Sequence, residues 1–226
     1  MLSHLPEIIV SVRHPECFAN LGIDAYDAAL AAGISNRDSP LTKRGEIQAQ
    51  YTAAYLMERF GSFDLAFASD FIRTHSIPTV LGQAFAIEPR IGERWHGALH
   101  ERGSAFFAEF PEQRELYDAD YYNYRAPEGE SCPDVEARLS DFLMTKGLFV
   151  GARSMLISGH GISGLCLRKV LFGASYEDWS VWFERARLDN ASVTVYERQP
   201  DGQYEITLYN HLPWKEHLEV EKGIEA

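Results

Sequence analysis

Three short apolar runs in this chain each end in charged, hydroxyl or imidazole side chains, and that arrangement constrains the fold more than any other feature. Glu7 to Val12 reads as a buried strand ending at Arg13-His14, Asp64 to Ala68 as a second ending at Ser69-Asp70, and Ser154 to Ile157 as a third ending at Gly159-His160-Gly161. Helical spacing fills the intervals. Arg44 to Phe60 follows Ser39-Pro40-Leu41-Thr42, where Thr42 can cap, and Ile72 to Phe85 reads as a helix with Pro78 as a kink or early break. Asp134 to Thr145 and Ile162 to Leu171 complete the helices. Such alternation predicts an α/β fold of three layers, a mostly parallel central sheet with helices on both faces. Ser192 to Glu197 and Tyr204 to Tyr209 alternate in strand fashion around Pro200-Asp201-Gly202, so a hairpin is expected at the far side of the sheet. The stretch 94–131 breaks the pattern with aromatic and charged residues, and reads as a cap-like insertion in a single domain spanning 1–226.

Composition narrows the functions open to such a fold. A hydrophobic share of 46% and a charged share of 24% are those of an ordinary soluble globular protein. Runs such as Ile8-Ile9-Val10 and Met155-Leu156-Ile157 are too short to span a bilayer, and no secretory signal is visible, so a cytoplasmic protein is expected. Cys17, Cys132 and Cys166 lie far apart without a CxxC pair, which argues against a disulfide framework and a structural zinc site. The formal charge of −12 argues against nucleic-acid or anionic-membrane partners. An acidic protein binds a phosphate ester only where arginines gather locally, so the expected partner is a small phosphate ester, with a homodimer open as an assembly.

In open α/β sheets ligands bind beyond the carboxyl ends of the strands. The three strand ends deliver Arg13, His14, Arg73, just after Ser69, and His160 to one edge. That set fits phosphoryl transfer through a covalent intermediate. A neutral imidazole is a nucleophile at pH 7 without a metal, arginine forks neutralise phosphoryl oxygens, a second histidine can donate to them, and a carboxylic acid must protonate the leaving alkoxide. No cofactor is required.

The motifs behind these residues resemble those of the histidine phosphatase (phosphoglycerate mutase-like) superfamily. Val12-Arg13-His14-Pro15-Glu16 with Asn20 is similar to its opening motif, and Ser39-Pro40-Leu41-Thr42 with Gly45 and Ala49 to its helix entry. Ser69-Asp70-Phe71-Ile72-Arg73-Thr74 resembles the segment with the second phosphate arginine, and Glu93-Arg94-Trp95-His96-Gly97 the segment with the acid. Pro127-Glu128-Gly129-Glu130-Ser131 with Asp134 and Arg138, Ser158-Gly159-His160-Gly161, and Asn190-Ala191-Ser192-Val193-Thr194 follow in family order. The resemblance implies that His14 is phosphorylated, that Arg13, Arg73 and His160 clamp the phosphoryl group, that Asn20 and Gly161 add substrate contacts, and that Glu93 is the proton donor. It departs at Pro15, where the family has glycine; proline removes a backbone N–H and with it any phosphate contact from that group.

The rival readings differ in what they need. His14 alone would be an ordinary core or loop histidine, Glu101 is a second candidate acid, and Asn20 could serve only as a cap. A metal site on His14 and His160 would need further ligands beside the fixed charge of Arg13. The other histidines, His4, His75, His96, His100, His211 and His217, read as solvated or structural. A mutase needs extra cations, and those of the insertion, Arg94, Arg102, Arg114 and Arg125, are spread among acidic residues. Phosphate monoester hydrolysis is the leading expectation, a cofactor-dependent phosphoglycerate mutase the second, and a non-catalytic phospho-ligand binder the third.

Overall fold

In the computed structural model, which describes residues 4–218, the first apolar run becomes a strand at the middle of the sheet. The strands are β1 (Ile8–Arg13), β2 (Leu65–Ala68), β3 (Ala86–Ile87), β4 (Ser154–Gly159), β5 (Val193–Arg198) and β6 (Tyr204–His211). They form one sheet in the order β3-β2-β4-β1-β5-β6. β4 pairs in parallel with β1 and with β2, and β2 in parallel with β3, while β5 runs antiparallel to β1 and β6 antiparallel to β5. The mostly parallel sheet and its terminal hairpin are as the sequence predicts. The parallel strands β1, β2 and β4 all end at one edge, and the register sets Arg13 against Gly159 and Ala68 against Ser158.

Alternation along β1 splits the core in two. Ile9 faces a cluster with Met155, Ile157, Leu139 and Phe142, whereas Val10 and Val12 face one with Leu156, Ala53, Leu56 and Val195. The helices are α1 (Ile23–Ala31), α2 (Lys43–Phe60), α3 (Ser76–Val80), α4 (Ala98–Arg102), α5 (Ser104–Glu109), α6 (Pro111–Ala119), α7 (Cys132–Met144), α8 (Gly161–Phe172) and α9 (Tyr176–Arg185). α2 covers one face, and α7 and α8 the other. Thr42 caps α2, its Oγ1 accepting from Gly45 N at 3.0 Å. Ser131 and Asp134 form a reciprocal cap on α7, and Ser175 and Asp178 do the same on α9.

The single helix expected over Ile72 to Phe85 is instead a 3-10 turn (Ile72–His75), the five-residue α3 and then β3. Pro78 lies in the first turn of α3, where a missing N–H costs nothing, so it marks a start rather than a kink. Gly82, at φ +70°, turns the chain out soon after. The segment 94–131 contributes α4, α5 and α6, and α1 packs beside α4.

Candidate active site

His14 follows the last residue of β1 and is buried. Its N–H donates to Gly159 O at 2.9 Å, and its carbonyl accepts from Ala191 N and Asn190 Nδ2, both at 3.1 Å. Nδ1 lies 2.7 Å from Pro15 O, an acceptor only, so Nδ1 carries the proton and the lone pair of a neutral ring sits on Nε2. Burial first, then Arg73 and Arg13, holds the imidazole pKa well below its ordinary value, so the ring is neutral at pH 7. The task of residue 15 is therefore to present a carbonyl, which proline keeps. The N–H groups of the following turn all have protein partners: Gln48 for Glu16, Asn20 for Cys17, Pro40 for Phe18, Ser39 for Ala19, and Cys17 for Asn20. This turn therefore leaves none of these backbone donors for an anion.

Two guanidinium groups close on this ring. Arg13 donates from Nη1 to Leu188 O at 2.5 Å, and the buried Arg73 donates to Asn36 O at 2.6 Å and Asn36 Oδ1 at 3.1 Å. Among the described residues neither has a carboxylate within ion-pair distance, although burying a cation without an anion costs several kcal/mol. Burial lowers the pKa of both. Nε of Arg13 and Nε of Arg73 are buried with no protein acceptor, and so is Nδ1 of His160.

His160 precedes α8, its ring centroid 5.1 Å from that of His14. Its Nε2 is 2.7 Å from Ser69 Oγ. Ser69 Oγ accepts from Phe71 N at 3.2 Å, and the nearby Thr74 hydroxyl is directed at Phe71 O at 2.8 Å. The Ser69 proton is thus free to point at His160 Nε2, which assigns the ring's own proton to Nδ1. Ser69, which the sequence offers as a phosphate-side residue, acts here by orienting His160.

Glu93 reaches the start of α8. Oε1 accepts from Ser163 N and from Arg94 N, both at 3.0 Å, and Oε2 from Ile162 N at 3.2 Å. A Cβ on Gly161 would lie 3.7 Å from Arg13 Nε and 3.8 Å from Glu93 Oε2, so a bare backbone separates the guanidinium from the carboxylate. Asn20 is exposed; its Oδ1 accepts from Cys17 N and from Asn190 Nδ2, both at 3.1 Å, which leaves Nδ2 as its free donor. Glu101 is exposed on α4 and lines neither cavity beside the cradle.

One cleft of about 490 Å³ opens on the side of Arg13, Glu93 and Gly161, and a second of about 850 Å³ on the side of Asn20, Asn36 and His100; Tyr117 lines both. His100 is half-buried, a structural rather than a solvated ring, and burial with the neighbouring arginines pushes its pKa down to about 3. Residues that hold the others escape the sequence reading. Asn36 has no motif to mark it, and Leu188 acts through a backbone carbonyl, which no side-chain pattern reveals. Asn190 lies in a motif but without an assigned task; it clamps the His14 carbonyl. Glu130 accepts from Trp95 N and from Arg138, which also donates to Arg90 O and Glu93 O, so this pair holds the Glu93 segment. Arg94 is fully buried and donates to the carbonyls of Glu130, Tyr121 and Tyr124, so it is not available to a ligand.

Donors without protein acceptors thus surround a neutral imidazole at the carboxyl edge of a parallel sheet. The family profile of the histidine phosphatase superfamily (branch 1) matches residues 9–211, and the chain belongs to that family. It is 30% identical over 183 residues, covering 78% of this chain and 77% of the relative, to a probable phosphoglycerate mutase GpmB of Photorhabdus laumondii. To the same-named protein of Escherichia coli K12 it is 31% identical over 170 residues, covering 72% of this chain and 75% of the relative. In fold it is similar to a putative alpha-ribazole-5'-P phosphatase from Escherichia coli K-12, with a TM-score of 0.74 at 21% identity over 91% of this chain and 97% of that one. It is similar also to a mycobacterial glucosyl-3-phosphoglycerate phosphatase, with a TM-score of 0.70 at 20% identity over 90% and 98% of the two chains.

Proposed function

We propose that this chain is a phosphatase that hydrolyses a phosphate monoester through a phosphohistidine on His14. The observation that carries the reading is the set of three buried nitrogens without a protein acceptor, Arg13 Nε, Arg73 Nε and His160 Nδ1, which share a site with the His14 ring. A phosphoryl group satisfies all three donors and neutralises the buried Arg73 and the half-buried Arg13 at once.

In the first step the His14 Nε2 lone pair forms a bond to phosphorus as the ester P–O bond breaks. Arg13, Arg73, His160 and the Asn20 amide hold the phosphoryl oxygens, and Pro15 O holds the Nδ1 proton so that charge on the ring is shared. Glu93 gives a proton from Oε2, the oxygen with the single longer contact, to the departing alkoxide. In the second step water forms the new P–O bond, the N–P bond breaks, and Glu93 takes the water's proton back. The mutase reading is favoured by the names of the relatives that share about 30% identity. It would require a site that returns the group to an acceptor instead of water, and Arg94 is already committed to carbonyls. We also assign the enzyme to the cytoplasm, consistent with three buried free cysteines. None of its helices among the described residues is long and apolar enough to cross a membrane.

The test is phosphate release from a panel of monoesters by wild type and His14→Ala, with 3-phosphoglycerate plus bisphosphoglycerate as a separate arm. Wild type is expected to release phosphate and trap an acid-labile phosphoenzyme, and His14→Ala to lose at least about a thousandfold in kcat. Absence of turnover and of phosphoenzyme would refute an enzyme of either kind. Transfer to phosphoglycerate outpacing hydrolysis would favour the mutase.

A further inference from the structure

The cleft beside Glu93 contains a cation that this chemistry does not use. Arg187 lies between α9 and β5, exposed on the wall of the cleft. Its Nε donates to Phe183 O at 2.7 Å, and its guanidinium lies over the Phe183 ring, 4.0 Å from the centroid. These two contacts fix the group and leave its pair of terminal amino groups without a carboxylate among the described residues. The neighbouring cations differ. Arg94 is consumed by carbonyls, while Arg102 pairs with Glu109, Arg114 with Asp118 and Arg125 with Asp134. Leu188, the next residue, holds Arg13 through its carbonyl. The segment that orients the phosphate-side arginine therefore also presents Arg187 to the same cleft.

The edge left open on Arg187 is the one that carries two parallel N–H donors, and it matches a carboxylate in bidentate fashion. A carboxylate fits better than a second phosphate, because one arginine carries one charge and Glu93 and Asp118 already line this wall. The rest of the lining includes half-buried Tyr117, Tyr121 and Phe183 with Ile162, which suits a planar apolar body between the two anions.

We propose that Arg187 is a specificity-determining residue that binds a carboxylate on the alcohol portion of the substrate, and that preferred esters join the phosphate to a ring bearing that carboxylate. This rests on the phosphatase reading above. The experiment compares kcat/KM for phenyl phosphate, 3-carboxyphenyl phosphate and 4-carboxyphenyl phosphate in wild type, Arg187→Met and Arg187→Lys. Wild type is expected to prefer at least one carboxylated isomer about tenfold or more, chiefly through KM. In Arg187→Met the ratio falls toward one, and Arg187→Lys, which keeps the charge without the fork, retains part of it. Because each ratio is taken on one preparation, it is insensitive to the folded fraction. Comparing variants cancels the effect of the carboxylate on the leaving group. Hydrolysis of phenyl phosphate with no preference in wild type, or a preference that survives Arg187→Met, overturns the inference and leaves the phosphatase reading standing. No turnover of any of the three, together with no turnover and no phosphoenzyme across the wider panel of monoesters, overturns both, and turnover of that panel without any of these three overturns the inference alone.

Discussion

His14 is held neutral by the same groups that would bind its phosphoryl partner. Burial and the charges of Arg73 and Arg13 each disfavour the imidazolium, while the contact to Pro15 O opposes them only weakly. A base with a depressed pKa keeps its lone pair as the pH falls through 6.5 and loses it only at the lower, folded-state value. At pH 6 an ordinary imidazole is about three-quarters protonated. In the free enzyme the 15N shifts of His14 are expected to remain those of a neutral ring with Nε2 unprotonated at that pH; a titration midpoint near 6.5 would contradict the site described here. The placement of His14 was legible in the sequence because a strand end followed by Arg-His is a side-chain pattern, and that of Arg73, Glu93 and His160 beside it for the same reason. The groups that aim them were not. Leu188 and Pro15 act through carbonyls, and Asn36 comes from a loop distant in sequence from the arginine it holds.

At the scale of elements, the turn after His14 is fixed by the first turn of α2. Glu16 O accepts from Thr42 N at 3.1 Å, Glu16 Oε1 from Thr42 Oγ1 at 2.7 Å, and Glu16 N donates to Gln48 at 2.8 Å. Gly45 permits that approach, since a Cβ there would lie 1.9 Å from Glu16 O and 2.9 Å from its carbonyl carbon. Alanine in a helix is favoured over glycine by about 1 kcal/mol. Overlap with backbone outweighs that, because neither atom can rotate away, and overpacking costs typically about 1–3 kcal/mol or more. Gly45→Ala is therefore expected to lower the thermal midpoint by about 2–4 °C for each kcal/mol of net loss and kcat/KM by about tenfold or more through the displaced His14 loop. The exposed Lys43→Ala should change stability by less than about 0.5 kcal/mol. A Gly45→Ala protein matching wild type in both measurements would show that α2 does not set the loop. The start of α2 was readable because Thr42 and Gly45 stand at capping distance. The segment 72–85 was misread because Pro78 signals a break and a first turn equally well, and only its tertiary setting decides between them.

For the whole molecule, the mostly parallel sheet and its terminal hairpin followed from the alternation of strands and helices, whereas the withdrawal of His96 and His100 from solvent did not, since their ring neighbours include Trp95 and the sequence-distant Tyr117. That burial has a consequence for acid stability. His14, His96 and His160 have pKa values pushed well below the ordinary one, and His100 is down to about 3, in every instance chiefly by burial. Below pH 6.5 the unfolded chain binds protons that these four folded rings refuse, so stability falls as pH falls, by up to about 1.4 kcal/mol per unit for each. Four together approach about 5 kcal/mol per unit, comparable with the entire stability of many domains. The carboxylates with depressed values, Asp64, Glu88, Asp120 and Asp134, add loss of the same sign only at lower pH, nearer their ordinary range of about 4. The urea midpoint is thus expected to drop steeply between pH 7 and 5.5, with protons taken up on unfolding; an unchanged midpoint across that interval would exclude neutral burial of these histidines. Since the His14 ring stays neutral over the same range, the proposed mechanism has acid inactivation track the loss of folded protein seen by circular dichroism, not the titration of this imidazole.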